Sequence, residues 1–120
     1  MCATYYARTS DHGYETCAEH LAMAGCLAGG FAKGFGYLDD GLLAGLVHDL
    51  GKYSDAFQRR IRNPDHCGPV DHSTAGALLL MRHVCPLAAM AVAGHHAGLP
   101  DLGSYGELEG STFMSRMNRA

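Results

Sequence analysis

The chain has 120 residues, of which 48% are hydrophobic and 18% charged, and its formal net charge is −3 at pH 7. This size and composition are typical of one globular domain and exclude a disordered or fibrous protein. The negative net charge argues against a protein that binds nucleic acid through neutralisation of phosphates by Lys and Arg alone. Bound cations would, however, reverse the sign of the local charge. Eight histidines beside nine Lys and Arg direct attention to a metal or proton-transfer site.

The sequence shows no sign of membrane insertion or secretion. No apolar run is long enough to span a bilayer, and the N-terminus lacks the basic and apolar regions of a secretory signal. Five cysteines form an odd set without CxxC spacing, which favours reduced thiols, mostly as small buried side chains. A cytoplasmic location with no membrane partner is therefore expected.

The first helix is predicted after a short N-terminal segment. Residues 1–13 are expected to be extended or loosely ordered. Apolar residues at helical spacing then predict a helix over residues 14–35, which carries His20 near its start and ends at Gly34-Phe35-Gly36. Four glycines weaken this helix locally but permit close packing.

A second helix is predicted to begin at Asp39-Asp40 and to run to about Leu50. Within LLAGLVHDLGK, residues 42–52, the leucines and a valine share one arc of the helix. His48, Asp49 and Lys52 fall on the opposite side among Ala and Gly, which would let another helix or an ion come close. A chance His-Asp pair on a polar outer face is the alternative interpretation.

The remaining elements are also predicted as helices, and no strand pattern competes with them. They are a short third helix from Ser54 or Asp55 to Ile61, a fourth from Asp71 or Ser73 to His83, a fifth from Pro86 to His96, and a last turn or two near residues 112–118. The fifth is apolar on every side until its end, so His95 and His96 should emerge from a buried helix. The expected fold is an all-α bundle of about five helices.

Six residues are candidate metal ligands, because each lies in or at the end of a predicted helix beside small or apolar residues: His20, His48, Asp49, His72, His95 and His96. Taken alone, each histidine is more typical of a core or surface residue, and only the joint pattern indicates a site. A histidine-rich set with one carboxylate suits one or two divalent transition metal ions such as Mn, Fe, Co, Ni or Zn, with Mg also considered. Asp49 is the natural bridge between two ions, which together can clamp a phosphoryl group and activate water.

Other polar residues are either expected to be exposed or have both a functional and a structural explanation. His12, His66 and His83 are expected to be solvent-exposed. Lys52 can hold a phosphate oxygen or complement the helix dipole. Ser73 and Thr74 can donate to a substrate or cap a helix. Arg59, Arg60 and Arg62 can track a phosphate backbone or form a solvated face.

Four segments carry a resemblance to a known family. HDLGK from His48 to Lys52 continues as YSDAFQ, DHSTAGA begins at Asp71, AGHHAGLPD begins at Ala93, and Glu19-His20-Leu21 fits the same pattern. Together they resemble the HD nuclease domain of the type I CRISPR-associated helicase-nuclease, over roughly residues 5–101. A single HD motif is common to the whole HD phosphohydrolase superfamily, whereas this combination is much more specific.

The resemblance implies an HD-domain-like helical bundle that cleaves single-stranded DNA with metal ions. It implies a helicase domain or subunit and an RNA-guided surveillance complex as partners. One metal would take His20, His48 and Asp49. The second would share Asp49 and take His72, His95 and His96. Lys52 would contact the substrate or stabilise the transition state, so that Asp49 and Lys52 are the expected catalytic residues.

The chain departs from the family in two respects that matter. It lacks the helicase domain with which such nucleases work, either fused or as a separate chain, and it lacks one metal ligand. Members of that family carry a further metal-binding Asp on a helix well downstream of the paired histidines, and Asp101 is too close to His96 to be that residue. Residues 1–120 are therefore expected to be a single HD-type nuclease domain truncated at its C-terminus, with a core at residues 14–101 and the first metal one ligand short. The alternatives are a phosphohydrolase acting on nucleotides and a catalytically incomplete metal-binding remnant.

Overall fold

The computed structural model describes residues 2–120, which form a mostly helical fold with one short hairpin. Strands β1 (Tyr6–Ser10) and β2 (Gly13–Thr16) pair antiparallel. The helices are α1 (Cys17–Lys33), α2 (Leu38–Val47), α3 (Asp55–Arg62), α4 (Thr74–Arg82), α5 (Pro86–Gly94) and α6 (Phe113–Arg119), and a 3-10 helix (Leu50–Tyr53) follows α2. The helical fold is confirmed, whereas the expectation of a fold without strands was wrong.

The hairpin covers residues that were predicted to form a loosely ordered segment and the first turn of α1. Helix α1 therefore begins later in the chain than predicted. Tyr14, where the helix was predicted to begin, lies in β2. The Thr16 hydroxyl accepts a hydrogen bond from the Glu19 N–H at 3.2 Å, and the Glu19 carboxylate accepts one from the Thr16 N–H at 3.2 Å. This reciprocal capping box fixes the beginning of α1 at Cys17 and places His20 at the end of its first turn. The predicted end of α1 is confirmed, because the helix stops at Lys33.

Helices α1 and α2 pack against each other through small residues. Gly45 is the buried residue of α2, and a Cβ at this position would overlap the backbone carbonyl of Ala24 in α1. Leu43 and Leu46, on the leucine arc, are 39% and 37% exposed. The prediction that small residues permit close approach is confirmed, and the leucine arc is not the most deeply buried face of α2.

The second helix ends at Val47, one turn earlier than predicted, and the chain continues as the 3-10 helix. The Gly51 N–H donates to the His72 carbonyl at 3.1 Å, and a Cβ on Gly51 would lie 2.5 Å from the His72 Cα. This close backbone contact requires glycine and brings the segment before α4 against the His-Asp pair. At the other end of α2, Tyr37 is the cap residue, so the predicted cap at Asp39-Asp40 was wrong, although both carboxylates lie in the first turn.

The later helices begin close to the predicted residues. Ser54 caps α3, Ser73 precedes α4, and Pro86 opens α5. One side of α5 is nevertheless open to solvent, with Leu87 exposed. Buried side chains of α4, α5 and α6 form the main hydrophobic core: Ala77, Leu80, Ala88, Ala89, Val92, Ala93, Phe113 and Met117. The buried core therefore includes side chains of α6, the last helix in the chain.

None of the five cysteines forms a disulfide in the structure, and only Cys17 is buried. The expectation that most of them would be buried was therefore wrong. Among residues 2–120, no helix combines the length and apolar character that a membrane crossing requires.

Candidate metal centre

The six predicted ligand residues meet in one cluster formed by the ends of helices. His20 comes from the first turn of α1, His48 and Asp49 follow α2, His72 precedes α4, and His95 and His96 follow α5. Their candidate ligand atoms fall into two groups, each with all atoms within 4.8 Å of one another. The groups are His20, His48 and Asp49, and Asp49, His72, His95 and His96. His12, His66 and His83 are exposed and lie outside both groups, as predicted.

Asp49 belongs to both groups, and its two carboxylate oxygens face different sides. Oδ2 lies 2.9 Å from His20 Nε2 and 3.1 Å from His48 Nε2. Oδ1 lies 3.1 Å from His95 Nε2 and 3.5 Å from His72 Nε2. Asp49 is 3% exposed, so a carboxylate is buried between two sets of imidazoles. This is the placement that a carboxylate bridging two cations requires.

Backbone carbonyls fix the orientation of three of these rings. The Nδ1–H groups of His48, His72 and His95 donate to the carbonyls of the residues three, two and three positions earlier, at 2.7, 3.1 and 2.7 Å. With Nδ1 protonated, a neutral imidazole presents the Nε2 lone pair, which is the form that binds a metal. All three Nε2 atoms point toward the Asp49 carboxylate.

Lone pairs that converge on a carboxylate repel it unless protons or cations lie between them. The same applies to the two nitrogen–nitrogen approaches, His20 Nε2 to His48 Nε2 at 3.1 Å and His72 Nε2 to His96 Nε2 at 2.7 Å. Divalent transition metal ions would satisfy these lone pairs together, and imidazole with carboxylate is a donor set that they favour. The residues therefore fit the one or two ions expected from the sequence.

Three ionisation shifts reflect this arrangement. Burial would raise the pKa of the Asp49 carboxyl. When no cation lies between them and Nε2 of His48 and His95 carries a proton, hydrogen bonds with these two residues and Lys52 outweigh burial and hold the pKa of Asp49 far below its usual value. The hydrogen bond with Asp49 raises the pKa of His48 against the opposing effect of burial. The pKa of His96 is lowered, first by burial and then by His95 and His72. Asp49 thus remains ionised, which a bridging ligand requires.

Lys52, the second predicted catalytic residue, lies beside Asp49 in the 3-10 helix. Its Nζ is 2.8 Å from Asp49 Oδ2, the oxygen that faces His20 and His48, and its side chain is 12% exposed. The ammonium also lies 5.4 Å from the centre of the Phe57 ring. Lys52 therefore stabilises the carboxylate in this structure, and its contact with a substrate stays a prediction.

A second carboxylate, on the hairpin, lies near His20. Glu15 Oε2 in β2 lies 3.5 Å from His20 Nδ1 and also pairs with Arg8 in β1. At this distance Glu15 contacts the far nitrogen of His20 as an ion-pair partner and does not form a hydrogen bond with it. No local pattern pointed to Glu15, because the hairpin that brings it near His20 was not predicted.

Two further polar residues link segments next to the cluster, and the sequence did not predict their roles. Gln58 is buried and bridges Tyr6 of β1 to the carbonyl of Lys52, which it meets at 2.7 Å. Arg116 of α6 reaches the start of α4 and the end of α5. The hydrogen bonds of Gln58 and Arg116 join residues more than five positions apart in the chain, so spacing within the sequence could not reveal them.

The predicted cluster of Arg59, Arg60 and Arg62 is partly used within the fold. Arg60 donates to the Cys67 carbonyl, and Arg62 lies over the Tyr6 ring.

No family model matches the chain, and no curated protein matches it significantly.

Proposed function

We propose that this chain is a metal-dependent phosphodiesterase domain of the HD type, which cleaves single-stranded DNA in type I CRISPR interference. The observation that carries the proposal is the buried Asp49 carboxylate, with one oxygen toward His20 and His48 and the other toward His72 and His95. The motifs HDLGK, DHSTAGA and AGHHAGLPD provide these residues and motivate the choice of substrate.

The roles of the residues follow from their placement. His20, His48 and Asp49 would hold one divalent cation, and Asp49, His72, His95 and His96 the other. Bound divalent cations supply Lewis-acid activation of the phosphodiester and of the attacking water. Asp49 stays ionised between the two groups, and the backbone carbonyls keep His48, His72 and His95 oriented. Lys52 would stabilise negative charge on a phosphate oxygen.

The proposed setting includes partners that present the DNA. A helicase domain or subunit and an RNA-guided surveillance complex would expose a single strand to the cluster. The chain carries a formal charge of −3, so phosphate neutralisation by Lys and Arg would contribute little to affinity without bound cations. Substrate choice would then depend on access of a single strand and not on readout of base edges.

A catalytically incomplete metal-binding domain is the second candidate, and one observation favours it. The His20–His48–Asp49 group has three ligand residues, and the Lys52 ammonium already lies on its carboxylate oxygen. The other group has four ligand residues, and that ammonium contacts the opposite carboxylate oxygen. This candidate predicts uptake of about one metal equivalent without hydrolysis of any phosphoester.

The test is a hydrolysis panel with manganese, cobalt, nickel, zinc or magnesium, using single-stranded DNA oligonucleotides, nucleoside monophosphates and nucleoside triphosphates. We expect metal-dependent cleavage of the oligonucleotide that is lost in His95→Ala and kept in His83→Ala, an exposed histidine outside the cluster. Hydrolysis of nucleotides alone would favour the nucleotide phosphohydrolase alternative. Metal uptake without hydrolysis of any substrate would favour the incomplete domain.

A further inference from the structure

The guanidinium of Arg116 joins three helices at one end of the cluster of candidate metal ligands. Arg116 lies in α6, whose Phe113 and Met117 are part of the hydrophobic core. Its Nη1 donates to the Ala93 carbonyl at 2.7 Å. Its Nη2 donates to the Ser73 hydroxyl at 2.9 Å and the Thr74 hydroxyl at 2.8 Å. One side chain thereby links the start of α4 to the end of α5.

These acceptors adjoin ligands of only one of the two groups. Ser73 directly follows His72, and Ala93 precedes His95 by two residues and His96 by three. The Asp71 carboxylate lies on the other side of His72, where it accepts hydrogen bonds from the N–H groups of Ser73 and Thr74. None of the hydrogen bonds of Arg116 reaches α1 or the residues that follow α2.

We propose that Arg116 is a positioning residue that sets the separation between His72 and the His95-His96 pair. The inference rests on the proposed function, since it assumes that these residues hold a cation. A planar guanidinium fixes several acceptors at once in a rigid fork, which a flexible ammonium cannot reproduce. Metal affinity at the Asp49, His72, His95 and His96 group therefore depends on Arg116, and affinity at the His20–His48–Asp49 group does not.

Arg119 provides a matched control on the same helix. Its Nη1 donates to the carbonyls of Leu108 at 3.0 Å and Gly110 at 2.7 Å, in the segment before α6. Replacing Arg119 with Gln removes two side-chain hydrogen bonds of α6, against three for Arg116, and leaves the neighbours of the ligand residues untouched. Any general loosening of α6 should affect both variants, whereas a positioning effect should follow Arg116 alone.

The experiment is a cobalt(II) titration of the full chain, followed by absorption and calorimetry, for wild type, Arg116→Gln, Arg116→Lys and Arg119→Gln. A His20→Ala background, which leaves the four-residue group complete, assigns each binding step. We expect Arg116→Gln to weaken cobalt binding at the four-residue group by about 10- to 100-fold, the usual effect of losing an outer-shell partner. Arg116→Lys should recover part of the loss, and Arg119→Gln should match wild type.

Three results would overturn the inference. Unchanged binding in Arg116→Gln, equal weakening at both groups, or an equal loss in Arg119→Gln would each remove the positioning role. Circular dichroism establishes that each variant is folded, and if Arg116→Gln is not, the comparison of Arg116→Lys with wild type decides the question. A wild-type chain that binds cobalt while Arg116 variants bind it equally well would contradict this inference alone. A wild-type chain that binds no cobalt would contradict the proposed function itself.

Discussion

Asp49 lies where four imidazoles and an ammonium meet, and each of its oxygens faces a different part of that set. A buried carboxylate is unfavourable unless several donors or cations compensate its lost hydration. Here His48, His95 and Lys52 compensate it and lower its pKa. The residue is thus the electrostatic centre of the cluster, and changes to its neighbours should alter metal binding in a predictable direction.

Lys52 should affect catalysis and metal binding in opposite directions. Lys52→Gln removes a positive charge 2.8 Å from Asp49 Oδ2, so cation affinity at the His20–His48–Asp49 group should rise. If Lys52 stabilises charge on the substrate, kcat should fall by about 100- to 1,000-fold. Metal titration and steady-state kinetics measure the two effects. Lys33→Gln, at the exposed end of α1, is the control, and an unchanged kcat in Lys52→Gln would remove the catalytic assignment.

The raised pKa of His48 predicts how pH acts on the stability of the metal-free protein. The folded state holds the His48 proton more tightly than the unfolded state, whose pKa is near the ordinary value of 6.5. This stabilisation is therefore fully present below pH 6.5 and is lost as pH rises through the folded pKa. With chelator present, thermal unfolding of wild type and His48→Gln should differ most at low pH. A difference that increases with pH would contradict the prediction.

At the scale of elements, helix ends and glycines place the ligands. Gly45 permits α2 to contact α1, and a Cβ on Gly76 of α4 would overlap the Val47 carbonyl at the end of α2. Close contact of these helices brings His20, His48 and His72 within reach of one carboxylate. The positions of the ligands could be predicted because helix ends and small residues are visible in the sequence. The choice of buried face could not, since it depends on which helix lies opposite.

Gly45→Ala and Gly30→Ala should change stability in opposite directions. A Cβ at Gly45 would overlap the backbone of α1, so the helices must separate and the protein should unfold at lower temperature. Gly30 has open space around its Cβ position, so alanine there should stabilise α1 by up to about 1 kcal/mol. Thermal unfolding measures both effects. Stabilisation by Gly45→Ala would show that α1 and α2 are less closely packed than described.

At the scale of the whole molecule, local pattern predicted most helices and failed for the hairpin. Strand β1 is secured by Gln58, whose amide exchanges two hydrogen bonds with the backbone of Tyr6, 52 residues earlier. The pattern of polar and apolar residues within residues 6–16 does not reveal that Gln58 will pair with β1. Likewise, the hydrophobic core includes Phe113 and Met117 of α6, which follows a glycine-rich segment without helical periodicity. Contacts between distant residues decided both features.

Elemental analysis of the purified protein tests most directly whether Asp49 bridges two cations. The comparison is between wild type, Asp49→Ala and Asp101→Ala, an exposed carboxylate outside both ligand groups. We predict close to two equivalents of a divalent transition metal in wild type and Asp101→Ala, and loss of both in Asp49→Ala. No bound metal in wild type after reconstitution, or full retention in Asp49→Ala, would contradict the claim.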